Sequence, residues 1–290
     1  MGQKIQLAET FTGTGLPVLY DDSLMNAGSL VLLDLGHSLG GVTGVPAGGA
    51  VLPNVAWKTA NALVSGAPGQ SALGIPLTAT SAAAPSYPVI ERTPKLGLHA
   101  IRSQTSDVSG ATYALGTPAA ISAYLQANPT HKYYFSIWDN VTRKTTVGQA
   151  APNPGVTAFG SNAGNFLFAI PGWDVYPGGG AQFLGKNISR GTPLSTNTGS
   201  GIIQMGFTTV TGSPTYTSTV LYGFGGQAGF WSGYRVGSSQ ILYRMYLEDL
   251  TVSGRTYAAA AAADLALYTA AFAPGGKFYG DTFTNPAGFP

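Results

Sequence analysis

The run Ile241-Leu242-Tyr243-Arg244-Met245-Tyr246-Leu247-Glu248-Asp249-Leu250 has the clearest period of two in the chain. Successive side chains of a strand point to opposite faces. Ile241, Tyr243, Met245 and Leu247 are therefore expected on one face, and Leu242, Arg244, Tyr246 and Glu248 on the other. The first face reads as core and the second as half wet, the pattern of an antiparallel sheet covered on one side. A chain organised around such strands cannot be a helical bundle.

Composition narrows the choice further. Of 290 residues, 41 are Gly and 19 are Pro, none is Cys, and only 9% are charged, against about 25% charged in average composition. A disordered polyelectrolyte is excluded because 44% of residues are hydrophobic. The absence of cysteine rules out a disulfide scaffold or zinc-thiolate module. A net charge of +2 with no dense cluster of Lys or Arg gives no footprint for nucleic acid. No stretch reaches the ~20 apolar residues that span a bilayer, and residues 1–6 lack the apolar core of a signal peptide. The expectation is neither secretion by a leader nor membrane insertion. Sparse surface charge also weakens the usual protection against self-association, so a surface covered by neighbouring subunits is expected.

Along the chain, Ser29–Leu35 reads as a buried strand closed by Gly36. Asn54 is the expected cap of a helix over 55–64, stopped by Gly66 and Pro68. Residues 67–94, rich in Ala, Ser, Pro and Gly, read as a long loop or extended arm. Further strands are expected at 96–102, 132–138, 165–170 and 201–210, with Tyr133, Phe135 and Ile137 sharing one face. Thr211–Pro214 reads as a turn that joins 201–210 to 216–224 as a hairpin. Short helices are expected at 118–126, capped by Thr117, and at 256–272, ended by Pro274-Gly275-Gly276. Strands between Gly/Pro turns without alternating helices predict a mostly β chain, an antiparallel β-sandwich with a few short helices. The division is 1–95, an N-terminal strand, helix and extended arm suited to assembly contacts, and 96–290, the sandwich with its C-terminal helix and tail.

Few residues offer chemistry. Gly36-His37-Ser38-Leu39-Gly40 matches the G-x-S-x-G nucleophile elbow and follows a hydrophobic strand. An elbow also needs a helix starting at the serine, upstream βαβ units, and an acid and a histidine in order. Val42–Gly49 cannot hold a helix, only about 28 residues precede the strand, and the later histidines are His99 and His131, with Asp107 the acid between them. A Gly-rich turn is preferred to a serine hydrolase. The adjacent acids are Asp21-Asp22 and Glu248-Asp249; neighbours on a strand diverge, so Glu248 and Asp249 cannot share a glycosidase cleft, and a strand-end charge and a turn acid are preferred. Asp139-Asn140 reads as a strand-end turn, and the three isolated histidines lack metal-ligand spacing. No catalytic, metal or cofactor site is expected. Trp173 and Tyr176, and Trp231 and Tyr234, set rings beside polar groups in Gly-rich loops. Such rings anchor subunit interfaces or stack on sugars.

The run 241–257 followed by a helix, Gly28–Asp34 with Pro53–Ala56, and Tyr133–Trp138 before Val141-Thr142-Arg143 resemble segments of concanavalin-like (laminin-G-like) jelly rolls in tailed-bacteriophage virion proteins. The resemblance implies a virion structural protein of the tail, baseplate or head surface. Its partners would be copies of itself and other virion proteins; it would assemble in the host cytoplasm and leave by lysis. A glycan-binding module for host attachment and, more remotely, a hydrolase using Ser38 stand as alternatives.

Overall fold

The computed structural model describes residues 21–39, 42–80, 88–102, 112–128, 130–143, 185–190, 199–208, 220–223 and 239–289. In chain order these form β1 (Ser29–Asp34), β2 (Val51–Leu52), α1 (Trp57–Leu63), β3 (Ile75–Thr80), β4 (Val89–Arg92), β5 (Leu98–Ile101) and β6 (Thr112–Gly116). They continue with α2 (Ala119–Ala127), β7 (Lys132–Arg143), β8 (Gly185–Arg190), β9 (Gly199–Thr208), β10 (Val220–Gly223), β11 (Ser239–Asp249), α3 (Leu250–Ser253) and α4 (Tyr257–Phe272). The fold is mostly β, and each strand pairing among the described residues is antiparallel.

A seven-stranded sheet runs β4-β5-β11-β7-β9-β8, and β1 joins it beside β11. One edge of β11 is covered along its length by β7; the other is shared, with β5 opposite Gln240–Leu242 and β1 opposite Arg244–Glu248. A four-stranded sheet runs β10-β6-β3-β2. The largest core cluster joins Ile75, Leu77, Leu115 and Tyr222 of the smaller sheet to Leu30, Tyr133, Phe135, Ile137, Met205, Met245 and Leu247 of the larger. The shared face of β7 is thus the one that alternation assigns to it.

The opposite face of the large sheet is also buried. Tyr134 and Tyr246 pack with Ala260 of α4, and Trp138, Ile202, Ile241 and Tyr243 pack against Phe278 with Leu267, Tyr268 and Phe272. Every residue of β11 is buried, so its second face is not half wet. Helix α4 forms where expected: the Thr256 hydroxyl accepts from the Ala259 amide at 3.1 Å, and Gly275 turns the chain at φ 83°.

The structure corrects several expectations. The period-two face assignment of β11 fails at a bulge: Leu242 and Arg244 sit opposite the consecutive residues Asp139 and Trp138, leaving Tyr243 as the extra residue. Parity flips there, so Ile241 and Tyr243 share the α4 side with Tyr246, while Leu242 shares the inter-sheet core with Met245 and Leu247. Residues 67–94 hold β3 and β4 in place of a loop or arm; the alternation of buried Ile75 and Leu77 with exposed Pro76 and Thr78 is short and masked by Ala, Pro and Ser. The expected 201–224 hairpin does not form, because β9 pairs with β7 and β8 whereas β10 pairs with β6. The N-cap position of α1 is Ala56 and not Asn54; the Asn54 side chain still accepts from Ala56 N at 3.0 Å in the turn before the helix, and it ties the segment to β1 by accepting from Leu32 N at 2.9 Å and donating to Leu30 O at 2.9 Å. Pro118, not Thr117, is the N-cap of α2. Asp139-Asn140 lies inside β7 and not at a strand-end turn. The expected strand at 165–170 lies outside the described residues.

Candidate functional site

Ser38 lies exposed in a turn after β1, and among the described residues no helix occurs between it and α1. Its neighbour His37 is engaged on both ring nitrogens: Nε2 bonds Asp21 O at 3.0 Å, and Nδ1 accepts from Leu39 N at 3.1 Å. β1 itself runs antiparallel to β11, so the parallel sheet that carries a nucleophile elbow does not surround this serine.

His131 comes nearer to a base held by an acid. Asp249, fully buried at the end of β11, meets His131 Nδ1 with Oδ2 at 2.5 Å and accepts from Tyr124 OH at 2.8 Å. Its other oxygen accepts from Thr251 N at 2.9 Å and Val252 N at 3.1 Å, capping α3. Glu248 points the opposite way, as strand alternation requires: its oxygens accept from Arg255 Nε at 2.9 Å, from Arg255 Nη2, and from Tyr246 OH at 3.0 Å. The adjacent acids act separately, each joining β11 to a different neighbour.

A third polar group lies between the large sheet and α4. Asp264 projects from α4 and is fully buried. It accepts from Tyr134 OH at 2.8 Å and Trp138 Nε1 at 3.0 Å. Gln204 Nε2 donates to the same tyrosine oxygen at 2.9 Å. Burial pushes the Asp264 carboxyl above its ordinary value, against the pull of its donors and of the Arg244 charge. Arg244 stacks its guanidinium over the Trp138 ring at 4.8 Å and holds Asp22 through two bonds of 2.8 and 2.9 Å. Asp34 lies 3.4 Å from the same guanidinium and 2.7 Å from Lys277 Nζ. Although burial opposes it, the Arg244 bond and charge hold Asp22 below its usual value.

The fourth group sits under the C-terminal tail. The His99 ring is buried on β5, with Nδ1 2.7 Å from Glu91 Oε1 and Nε2 2.8 Å from Thr142 Oγ1. Thr284 of the tail donates its amide to Glu91 Oε1 at 2.8 Å and its hydroxyl to Oε2 at 2.5 Å. Glu91, Arg92, Thr93 and Pro94 line an open groove of about 280 Å³ together with Thr282, Phe283 and Thr284. It is shallow and mostly polar, unlike the enclosed apolar pocket of a small-molecule site.

Trp173, Tyr176, Trp231 and Tyr234, the aromatic candidates, lie outside the described residues, as does Asp107. Among the described residues no group of three or more His, Cys, Asp or Glu is placed to hold a metal ion, and no helix is long and apolar enough to cross a membrane. The structure does not bring Ser38, His99 and His131 into one cluster: the partners of each are those given above. Sequence reasoning missed the Asp264 and Arg244 groups. The signal was available, since a lone acid in an Ala-rich helix four residues after Ala260 marks a polar contact on its buried stripe.

No family model, curated protein or solved structure matches the chain.

Proposed function

We propose that the chain is a structural subunit of a bacteriophage particle, a tail, baseplate or head-surface protein on a concanavalin-like jelly roll. It works through contacts with copies of itself and with other virion proteins, and catalyses no reaction. The observation that carries this reading is where the charge resides. From a set of only 14 Lys and Arg and 12 Asp and Glu, Asp34, Arg102, Asp139, Arg244, Glu248, Asp249 and Asp264 are buried. These seven are withdrawn from a surface that had few charges to begin with, and mixed surface charge is what keeps soluble monomers apart. Leu39, Val45 and Val51 stand exposed within one short stretch, which suits a surface that another subunit covers. The acids and histidines that could do chemistry instead hold one element to another.

Two measurements test the reading. Light scattering of the purified chain is expected to give an oligomer, and gold-labelled antibody is expected to decorate the tail or head surface of phage particles. A stable monomer that labels no particle overturns it.

A further inference from the structure

The C-terminal tail is held to the large sheet by side chains alone. Its backbone hydrogen bonds stay local: Asp281 N to Phe278 O, Gly288 N to Asn285 O and Phe289 N to Pro286 O. Among the described residues no backbone-to-backbone bond joins 281–289 to a strand. The grip consists of Thr284 on Glu91, the Phe283 ring edge-on to His99 at 5.3 Å, and Asp281 accepting from Lys95 N at 3.0 Å and Tyr243 OH at 2.9 Å. At the far end Arg143 Nη1 donates to Phe289 O at 2.7 Å.

We propose that residues 281–289 form an acid-sensitive latch: ionised Glu91 and neutral His99 hold the tail down on β4 and β5, and acidification frees it while the core stays folded. Both oxygens of Glu91 are acceptors in this arrangement, so protonation removes the charge that strengthens the bonds from the Thr284 amide and hydroxyl. With its proton on Nδ1, His99 donates to Glu91 and, when neutral, accepts at Nε2 from the Thr142 hydroxyl, which can itself donate or accept. A second proton would place a cation beneath Phe283 with no exposure to water. The titratable groups facing this pair are Asp281 from the tail and each other; Thr142 faces it from β7 and Thr284 from the tail. Arg92, next to Glu91, turns to the other face and donates to Leu35 O and Val42 O at 3.2 Å. The groove beside Glu91 admits water and protons to its carboxylate.

Titration runs in the same direction at both groups. Burial pulls His99 below its ordinary 6.5, the Glu91 bond and the Glu91 and Asp281 charges notwithstanding. Its contribution is intact above that value and is lost as pH falls below it. Burial alone would raise Glu91, but the bonds from His99 and Thr284 outweigh it and hold the group below its ordinary 4.5. Its contribution is present above 4.5 and lost as pH falls through the lowered value. The histidine therefore loosens the latch first.

Hydrogen exchange on the full chain, corrected for intrinsic rates, tests this. Protection of 281–289 should drop by up to about tenfold per pH unit below 6.5, the limit for uptake of one proton, while β7 and β11 keep theirs. Glu91→Gln should flatten the carboxylate part of the response. Thr284→Val, which leaves the sheet untouched, should lower tail protection already at pH 7.5 with the core unchanged. Tail protection independent of pH, simultaneous loosening of tail and core, or a Thr284→Val tail as protected as the parent's overturns the proposal. Should Glu91→Gln fail to fold, Thr284→Val and the parent's pH series decide.

Discussion

Asp264 illustrates how a single buried carboxylate fixes a helix to a sheet. Tyr134 and Trp138 are both buried, and each gives its polar hydrogen to this residue. Removing the acceptor strands two buried donors, each worth about 1–3 kcal/mol when unpaired. Asp264→Ala should thus cost about 2–5 kcal/mol, read as a lower urea midpoint at unchanged slope. Adding Tyr134→Phe should recover part of that loss, because the second change removes one stranded hydroxyl; strict additivity of the two would refute the pairing. The raised pKa of Asp264 means that its ionised form is strained in neutral solution, and acid relieves that strain.

At the level of elements, α4 depends on a local signal. Its N-cap hydroxyl on Thr256 satisfies one of the free amides of the first turn. Thr256→Ala should lower stability by about 1 kcal/mol, seen as a reduced thermal midpoint, with Thr256→Ser retaining most of it. Such signals were legible in the sequence: Thr256, the Ala run and Gly275 placed α4, a short apolar run closed by Gly36 placed β1, and alternation placed β7 and β11. What the sequence concealed was non-local. The bulge at Tyr243 arises from pairing with β7, and no pattern within β11 announces it, so Ile241, Leu242 and Tyr243, up to the bulge, take the faces opposite to those that alternation assigns. β3 was hidden because Pro76 and Ala79 weaken its propensity, while its pairing with β6 supplies the stability. The split of β9 and β10 between two sheets is likewise a tertiary choice. As for the candidate sites, the elbow match at Ser38 was legible and misleading, whereas Arg244 was assigned to a wet face and in fact centres a buried ion cluster.

Across the whole molecule, that cluster joins distant segments. Asp22 lies near the start of the described chain, Asp34 at the end of β1, Arg244 in β11 and Lys277 after α4. Breaking a buried pair leaves one charge uncompensated, which costs about 3–5 kcal/mol. Asp34 remains 3.4 Å from the guanidinium, so Asp22→Asn should lower stability at neutral pH by less than that. Because the Asp22 pKa is depressed in the fold, its contribution exists above 3.8 and vanishes as pH falls through the lowered value. The variant should therefore also lose part of the acid limb of a urea-midpoint against pH curve; an acid limb identical to the parent's would count against the role of this pair.

The shared edge of β11 has a consequence for how the protein comes into being. During translation β1, β5 and β7 all leave the ribosome long before the strand that sits between them. The sheet lacks its middle until residue 249 has emerged, and early segments must wait in the open for a partner made late. Closing such long intervals is slow, so until β11 has emerged β1 has no partner strand, and β5 and β7 each have one edge open. A ribosome-stalled series would gain protease resistance in one step at the length that first exposes 239–249 outside the ribosome, as the late strand completes the sheet.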